Sequence, residues 1–335
     1  MTITANQTLR WGMIGCGDVA ERKSAPALQQ VSGSELVAVM ARSAERVADY
    51  AQRHNVERWY TSADALINDP NVNAVYIATP PDSHCEYALK VAAAGKICCV
   101  EKPMALNFSE CEQMQAAFTA ANVPLFVAYY RRTLPGFSHI HQRLAQGAIG
   151  KPLHIHWRYC RPAHPRDSLS EYNWRTDPKV APGGYFDDIG CHGLDLFSFL
   201  LGDVLPKSVH AAGGNQMNHY LAPDAISCTY QFTSGCTASC QWHFNSFTRE
   251  DWVVIDGDKG RLEFSVFEDT PARLTTTNGT EMIAMDKPEP VQLFHAQAML
   301  DHIQGNHTHP SLGNSAAQTN LLMELIVSAV TRQTL

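Results

Sequence analysis

Three stretches of the chain carry side chains that could move a proton or hold a developing charge. In Gly183-Gly184-Tyr185-Phe186-Asp187-Asp188-Ile189-Gly190-Cys191-His192, the Asp188 carboxylate precedes the His192 imidazole by four residues. A helix from about Tyr185 makes the two neighbours, with Asp195 continuing the stripe and Ile189, Leu196 and Leu200 forming an apolar face beside it. A carboxylate so placed can orient the ring and hold the charge it gains, which is acid–base equipment. The same residues also suit a carboxylate favoured by a helix N-terminus and a core histidine. At Ile97-Cys98-Cys99-Val100-Glu101-Lys102-Pro103 a short apolar strand ends in a charged pair and a proline. Proline removes a ladder donor and restricts the residue before it, so Lys102 projects in a fixed direction from the carboxyl end of a strand. In open α/β sheets ligands bind at that edge, although a solvated lysine in a strand-to-helix turn has the same local pattern. The third stretch, Trp174-Arg175, offers a stacking plane and a hydrogen-bonding fork within a long Pro/Arg/Trp-rich loop, Arg161 to Pro182. Loops of that length are usually functional, and the plainer reading of Trp174 is an anchor on the core.

The elements that must position these groups begin at Leu9–Ile14, an apolar strand followed by Gly15-Cys16-Gly17-Asp18-Val19-Ala20. This is G-x-G-x-x-A, in which the first glycine permits a tight turn and the second lets backbone approach a pyrophosphate. The small third residue allows close helix–strand packing, and the following helix, expected over Val19–Gln30, turns free N–H groups to the phosphates. A strand at Glu35–Met40 follows. The carboxylate that would bind a ribose hydroxyl is missing at its end, where Ala41-Arg42-Ser43-Ala44-Glu45-Arg46 stands instead. Arg42, Ser43 and Arg46 suit a 2′-phosphate, which favours NADP(H) over NAD(H); an exposed pair of arginines on a helix start is the alternative.

The alternation continues. Strands are expected at Arg58–Tyr60, Asn73–Ala78, Ile97–Val100 and Pro124–Tyr129, with helices at Ser62–Asn68 (serine-capped), Glu86–Ala94 and Ser109–Asn122. That spacing implies βαβ units and a parallel, doubly wound α/β sheet, a Rossmann domain over residues 8–131. Thr79, Pro80, Glu101 and Lys102 then share the carboxyl-end rim with the glycine turn, and His84 either joins them or caps its helix.

Here the residues acquire a likeness. The glycine turn, Ala78-Thr79-Pro80-Pro81-Asp82-Ser83-His84, Glu101-Lys102-Pro103 and the G-G-x-x-x-D-x-G-x-H run resemble the glucose–fructose oxidoreductase/inositol dehydrogenase (Gfo/Idh/MocA) family over essentially the whole chain. Pro182 replaces the first of the family's usual three glycines. The resemblance implies a C-terminal α+β domain with an open, mostly antiparallel sheet over residues 132–335, whose last helix has the option of packing back on the first domain. It also implies hydride transfer between NAD(P) and a sugar, polyol or related carbonyl or alcohol, with Lys102, Asp188 and His192 catalytic. The cofactor set would be Gly15, Gly17, Asp18, Val19, Ala20, Arg42, Ser43, Arg46, Thr79, Pro80, His84, Glu101 and Lys102. Tyr129, Arg131, Trp174 and Arg175 are candidates for the substrate. Two alternatives stay open: a catalytically silent NADP-binding sensor, and a reductase of a non-sugar substrate such as an aromatic diol.

In the second half, Pro135–Gly147 reads as a helix and Leu153–Tyr159 as a strand. His154 and His156 share one face of that strand, but no third ligand follows at usable spacing and no C-x-x-C occurs, so a polar strand face is favoured over a metal. Ala225–Phe232, Cys236–Phe244, Asp251–Ile255 and Arg261–Val266 read as strands, with a hairpin turn at Asp256–Gly260. Helices are expected at Val291–Gln304 and Ala316–Thr331, and His302, His307 and His309 read as surface residues. A sheet with one uncovered face suggests a homodimer or homotetramer.

Composition narrows the classes. Among 335 residues, 45% are hydrophobic and 18% charged, as in ordinary globular proteins. A net charge of −7 without a basic cluster excludes a nucleic-acid footprint. No apolar run reaches the roughly 18 residues needed to span a bilayer. The ten scattered cysteines and a polar start that lacks a signal-peptide core lead to the expectation of a cytoplasmic protein.

Overall fold

The computed structural model describes residues 8–168, 172–202 and 206–332. In the first half, strand β1 (Leu9–Ile14) is followed by α1 (Ala25–Gln30), β2 (Ser34–Met40), α2 (Ala44–Arg53), β3 (Arg58–Tyr60), α3 (Ala63–Ile67) and β4 (Ala74–Ile77). Then come α4 (His84–Ala93), β5 (Ile97–Val100), α5 (Phe108–Ala121) and β6 (Leu125–Val127). The strands form one parallel sheet in the order β3-β2-β1-β4-β5-β6, so the order reverses between β1 and β4. β4 and β5 are buried on both faces, as a sheet covered by helices on either side requires. Ser43, Ser62 and Asn107 cap α2, α3 and α5 by accepting backbone N–H bonds, and such caps are worth about 1 kcal/mol each. One expectation changes here. The helix foreseen over Val19–Gln30 is present as a continuous helical run, but it is π-helical at Ala20–Ser24 before α1, a widening typical of functional sites.

The second half opens with α6 (Pro135–Ala145), β7 (Pro152–Cys160) and α7 (Tyr185–Leu201). Seven strands follow: β8 (Pro206–Gly214), β9 (Ala225–Phe232), β10 (Thr237–His243), β11 (Glu250–Gly257), β12 (Gly260–Phe264), β13 (Ala272–Thr276) and β14 (Gly279–Ile283). They make an eight-stranded sheet ordered β14-β13-β12-β11-β7-β10-β9-β8, antiparallel throughout except for β7 against β10. The expected hairpin joins β11 to β12. Strands β8, β13 and β14 were not singled out by the sequence reading. One face of the sheet buries Trp157, Tyr159, Trp242 and Ile255, and α7 lies against it. A Cβ added to Gly193 would stand 2.2 Å from the Trp157 ring, so only glycine lets the helix approach there. The other face carries half-exposed His154, His156 and Ser239, with both histidines bonded to the Ser239 hydroxyl, the polar face expected of β7.

The chain ends with α8 (Leu293–Ile303) and α9 (Gly313–Thr331). Two compact units result: one runs to Leu134 and takes back Pro288–Ala317, and the other comprises Pro135–Lys287 with Gln318 onward. The division at 131/132 read from the sequence lies close to the first crossing; the return of 288–317 is outside that linear division. The returning segment packs into the first core, where Ala296, Met299 and Leu300 join Trp11, Leu28 and Phe126. All ten cysteines are free, nine of them buried. Among the described residues no helix is long and apolar enough to cross a membrane.

The histidines of the returning segment correct a sequence expectation. His307 is exposed, but His309 is buried and meets buried His295 edge-on at 4.8 Å, with Phe126 packed against His302 and His309. Polar composition marked the segment as a loop, and tertiary packing buried it. Burial lowers the His295 pKa from its ordinary 6.5 to about 3 and holds that of His309 well below the ordinary value. The unfolded chain therefore binds more protons than the native one between these limits, and stability falls as pH drops below about 6.5. We expect the melting temperature to decline from pH 6.5 toward pH 4, at up to about 1.4 kcal/mol per pH unit for each such histidine. The decline should be shallower in His295→Gln; an equal slope in both proteins would refute the assignment.

Candidate functional site

In the first unit, the reversal of strand order between β1 and β4 opens a crevice at the carboxyl ends of the strands. Gly15 leaves β1 with φ +104° and donates its N–H to the Met40 carbonyl at 2.9 Å. A Cβ at Gly15 would stand 2.7 Å from the Ala78 carbonyl oxygen, so the turn accepts only glycine. Around Gly17 nothing lies within 4 Å of an added Cβ, which leaves an open approach to its backbone. Asp18 and Arg22 form an exposed ion pair at 2.9 Å, and Val19 leads into the π-helical turn. Ala20 is wholly buried, its carbonyl accepting from the Tyr50 hydroxyl, which explains the small third residue of the motif.

Beyond β2, Ser43 accepts the Arg46 N–H as the cap of α2, and Arg42 and Arg46 are exposed. Neither arginine is in an ion pair among the described residues. Burial pushes the thiol of Cys16, inside the glycine turn, up to about 12. The glycine turn, with its open backbone approach, therefore fits a dinucleotide.

The neighbouring strands complete the rim. His84, the first residue of α4, is fully buried, with Nε2 2.8 Å from the Thr79 carbonyl and Nδ1 3.0 Å from the Pro103 carbonyl. It ties the turns after β4 and β5 together, and burial lowers its pKa. Pro80 and Thr79 are half-buried, and Ser83 bonds the Thr79 hydroxyl at 2.8 Å. Glu101 is buried, and its Oε1 accepts from the Tyr76 hydroxyl at 2.8 Å and from the Gln292 amide at 3.0 Å. Its Oε2 accepts the Lys102 N–H at 3.2 Å. Lys102 thus starts from backbone held by its own neighbour's carboxylate, and the Lys102–Pro103 peptide is cis. Beyond β6, Tyr129 and Arg131 are buried, with the Arg131 guanidinium 4.9 Å from the Tyr130 ring centre. Arg132, buried as well, donates to the Pro310 carbonyl and the Ser315 hydroxyl, anchoring the returning segment.

In the second unit, the double-glycine turn launches α7. Gly184 has φ +67°, and the Asp187 carboxylate accepts the Gly183 N–H at 2.8 Å. Asp187 is buried and its pKa is raised to about 7 by desolvation, whereas neighbouring Asp188 is half-exposed. His192 lies one turn beyond Asp188, largely buried, its ring perpendicular to Phe267 at 5.6 Å. Asp195 is buried and accepts from the Thr319 hydroxyl at 3.1 Å. The stripe of Asp188, His192 and Asp195 read from the sequence is present. Gly190 and Gly193 serve the close-packed sides of the same helix, against Phe186 and Trp157.

Sequence reasoning missed the partner of Asp188. Trp174–Thr176 forms a 3-10 turn capped by Asn173, and Arg175 Nε donates to Asp188 Oδ2 at 2.7 Å. The Arg175 guanidinium also lies 4.3 Å from the centre of the Trp174 ring. Trp174 and Arg175 therefore act as a pair with Asp188. Gln292 and Tyr76 were missed too. Nothing local marks Gln292, which is 191 residues from Glu101.

Two family models match the chain: an oxidoreductase family with an NAD-binding Rossmann fold over residues 9–129, and the GFO/IDH/MocA C-terminal domain over residues 137–263. Oxidoreductase P35 of Formosa agariphila is 36% identical, covering 95% of this chain and 98% of its own. A 1,5-anhydro-D-fructose reductase of Ensifer adhaerens is 28% identical, covering 90% of each. A trans-1,2-dihydrobenzene-1,2-diol dehydrogenase of Mus musculus is 31% identical over 76% of this chain and 74% of its own. Among solved structures, a levoglucosan dehydrogenase in complex with NADH and levoglucosan superposes with a TM-score of 0.86 at 22% identity, covering 98% of both chains.

The open space at Gly17 generates a test. Gly17→Ala adds a methyl that meets no protein atom, so the melting temperature should stay within about 2 °C, a shift of well under 1 kcal/mol. The affinity for NADPH, read by fluorescence titration, should fall about tenfold, roughly 1.4 kcal/mol. Unchanged affinity would remove the pyrophosphate from this turn.

Proposed function

This chain belongs to the Gfo/Idh/MocA oxidoreductase family, and within it we propose an NADP(H)-dependent enzyme that interconverts a secondary alcohol, or hemiacetal carbon, and a carbonyl of a sugar-like substrate. The observation that carries the reading is the Asp188–His192 stripe at the start of α7; Lys102, two residues after β5, is the second group the reading uses. The nicotinamide supplies or accepts the hydride. In the oxidative direction His192 takes the hydroxyl proton on an imidazole nitrogen, and in reduction it returns that proton to the carbonyl oxygen. Lys102, at the carboxyl end of the parallel sheet, is the cation of the first unit suited to stabilise negative charge on a reacting oxygen. Asp188 holds the positive charge that the imidazole gains, or a neighbouring hydroxyl. Glu101 and His84 keep the rim in place beneath Lys102. Tyr129 is buried down to its hydroxyl and Arg131 is buried as well, so neither presents an open face to a substrate.

Preference for NADP(H) rests on Arg42 and Arg46, with Ser43 as cap. The sugar-like substrate is supported by relatives named for anhydrofructose and levoglucosan, and a relative named for a benzene diol keeps an aromatic diol in the assay panel. Self-association through the polar open face of the eight-stranded sheet goes with this reading, and light scattering would report it.

Steady-state consumption of NADPH and NADH over sugars, ketoses, dicarbonyls and aromatic diols tests the proposal. Activity on a hydroxylated carbonyl is expected; silence across the panel would favour a cofactor-binding sensor. His192→Ala should lower kcat by about 10²–10⁴-fold while NADPH binding holds, and unchanged turnover would sink the acid–base role. Replacing both Arg42 and Arg46 by Ala should weaken NADPH binding about 10–100-fold, the worth of one or two charge-assisted bonds, and leave NADH binding within about twofold. Equal losses for the two cofactors would defeat the NADP preference.

A further inference from the structure

We propose that Arg175 is a positioning residue for Asp188. This rests on the reading of α7 as the acid–base element, and it assigns the guanidinium to the enzyme's own carboxylate instead of to substrate.

The contact is built from both sides. On the loop side, Asn173 Oδ1 accepts the Arg175 N–H at 3.2 Å, and the Thr176 hydroxyl donates to the Asn173 carbonyl at 2.9 Å, which closes the short turn. Asn173 Nδ2 donates to the Tyr185 hydroxyl at 2.9 Å, and that hydroxyl donates to Asp167 Oδ1 at 2.6 Å. The turn is therefore tied to the first residue of α7, three positions before Asp188. The guanidinium lies over the Trp174 ring, 4.3 Å from its centre, a contact that holds the cation in place and restricts its rotamers. On the helix side, Asp188 lies in the first turn of α7, where the peptide dipoles favour an anion.

Burial gives the ion pair weight. Side-chain exposure is 33% for Arg175 and 17% for Asp188, so the pair is shielded from solvent more than a surface bridge is. An arginine held over an indole and directed at one carboxylate oxygen restricts where that carboxylate can sit. A lysine could supply the charge but neither the plane nor the stack. Arg175 thereby sets the orientation in which Asp188 serves His192 or a substrate hydroxyl, and it reaches the chemistry only through Asp188.

The test has a kinetic arm and a spectral arm. Arg175→Ala should lower kcat about 10²-fold, the usual effect of a displaced catalytic group, with KM for the carbonyl substrate changed less than about threefold. Arg175→Lys should recover part of the loss, and guanidinium ion added to Arg175→Ala should recover more of it. A large rise in KM at unchanged kcat would make Arg175 a substrate contact and overturn the proposal. In the spectral arm, the Arg175 Nε–H resonance of the full-length protein should be protected from exchange and displaced from the other arginines. Asp188→Asn should return it to the exposed position. A resonance indifferent to Asp188→Asn would refute the pairing. The spectral arm needs no substrate, so a chain silent on every sugar would fail the proposed function while this inference is still judged on the arginine.

Discussion

A carboxylate that cannot reach water must be satisfied by the protein, and Glu101 imposes that constraint on the first unit. Buried at the end of β5, it draws the Tyr76 hydroxyl from β4 and the Gln292 amide from the start of the returning segment, and holds the Lys102 N–H with its second oxygen. Leaving such a group unpaired would cost several kcal/mol, so the three partners are fixed relative to one another. The lysine that follows inherits this rigidity. His84 adds a second brace by bridging the carbonyls of Thr79 and Pro103. The rim is held by buried polar contacts, and the backbone of the glycine turn is left open.

The second unit solves a related problem with packing. Helix α7 must lie close to the sheet and yet carry a polar stripe. Gly193 meets the Trp157 ring where any side chain would collide, while Phe186 and Phe197 pack edge-to-face on Trp242 and Trp157. The double-glycine turn then sets where the helix begins, and hence which side Asp188 and His192 occupy. Small residues interleaved with Asp188 and His192 are thus part of the same geometry.

Much of this was legible in the sequence because it is local. The glycine turn, the strand ending in Glu101-Lys102-Pro103 and the i, i+4 spacing of Asp188 and His192 each lie within a dozen residues, and the alternation of strands and helices gave the parallel sheet. What escaped depends on contacts between distant segments. Arg175 was read as a free fork because its carboxylate lies 13 positions away across a loop, and the partners of Glu101 are 25 and 191 positions off. His309 looked like surface because its neighbours in sequence are polar, whereas its neighbours in space are Phe126 and His295. The π-helical turn after the glycine motif had no sequence mark that separates it from an ordinary helix start.

The return of Pro288–Ala317 has a consequence for how the chain matures. During synthesis, the six parallel strands are complete once β6 has emerged, but Glu101 still lacks Gln292, and Arg132 still lacks the Pro310 carbonyl and the Ser315 hydroxyl. The nascent nucleotide-binding unit therefore waits, its buried carboxylate one partner short and an apolar flank beside α1 uncovered, until more than 150 further residues have left the ribosome. Its order of assembly is set by topology: the segment translated first is finished by one translated almost last, and a fragment ending at Leu134 would carry the fingerprint of the fold without its closure.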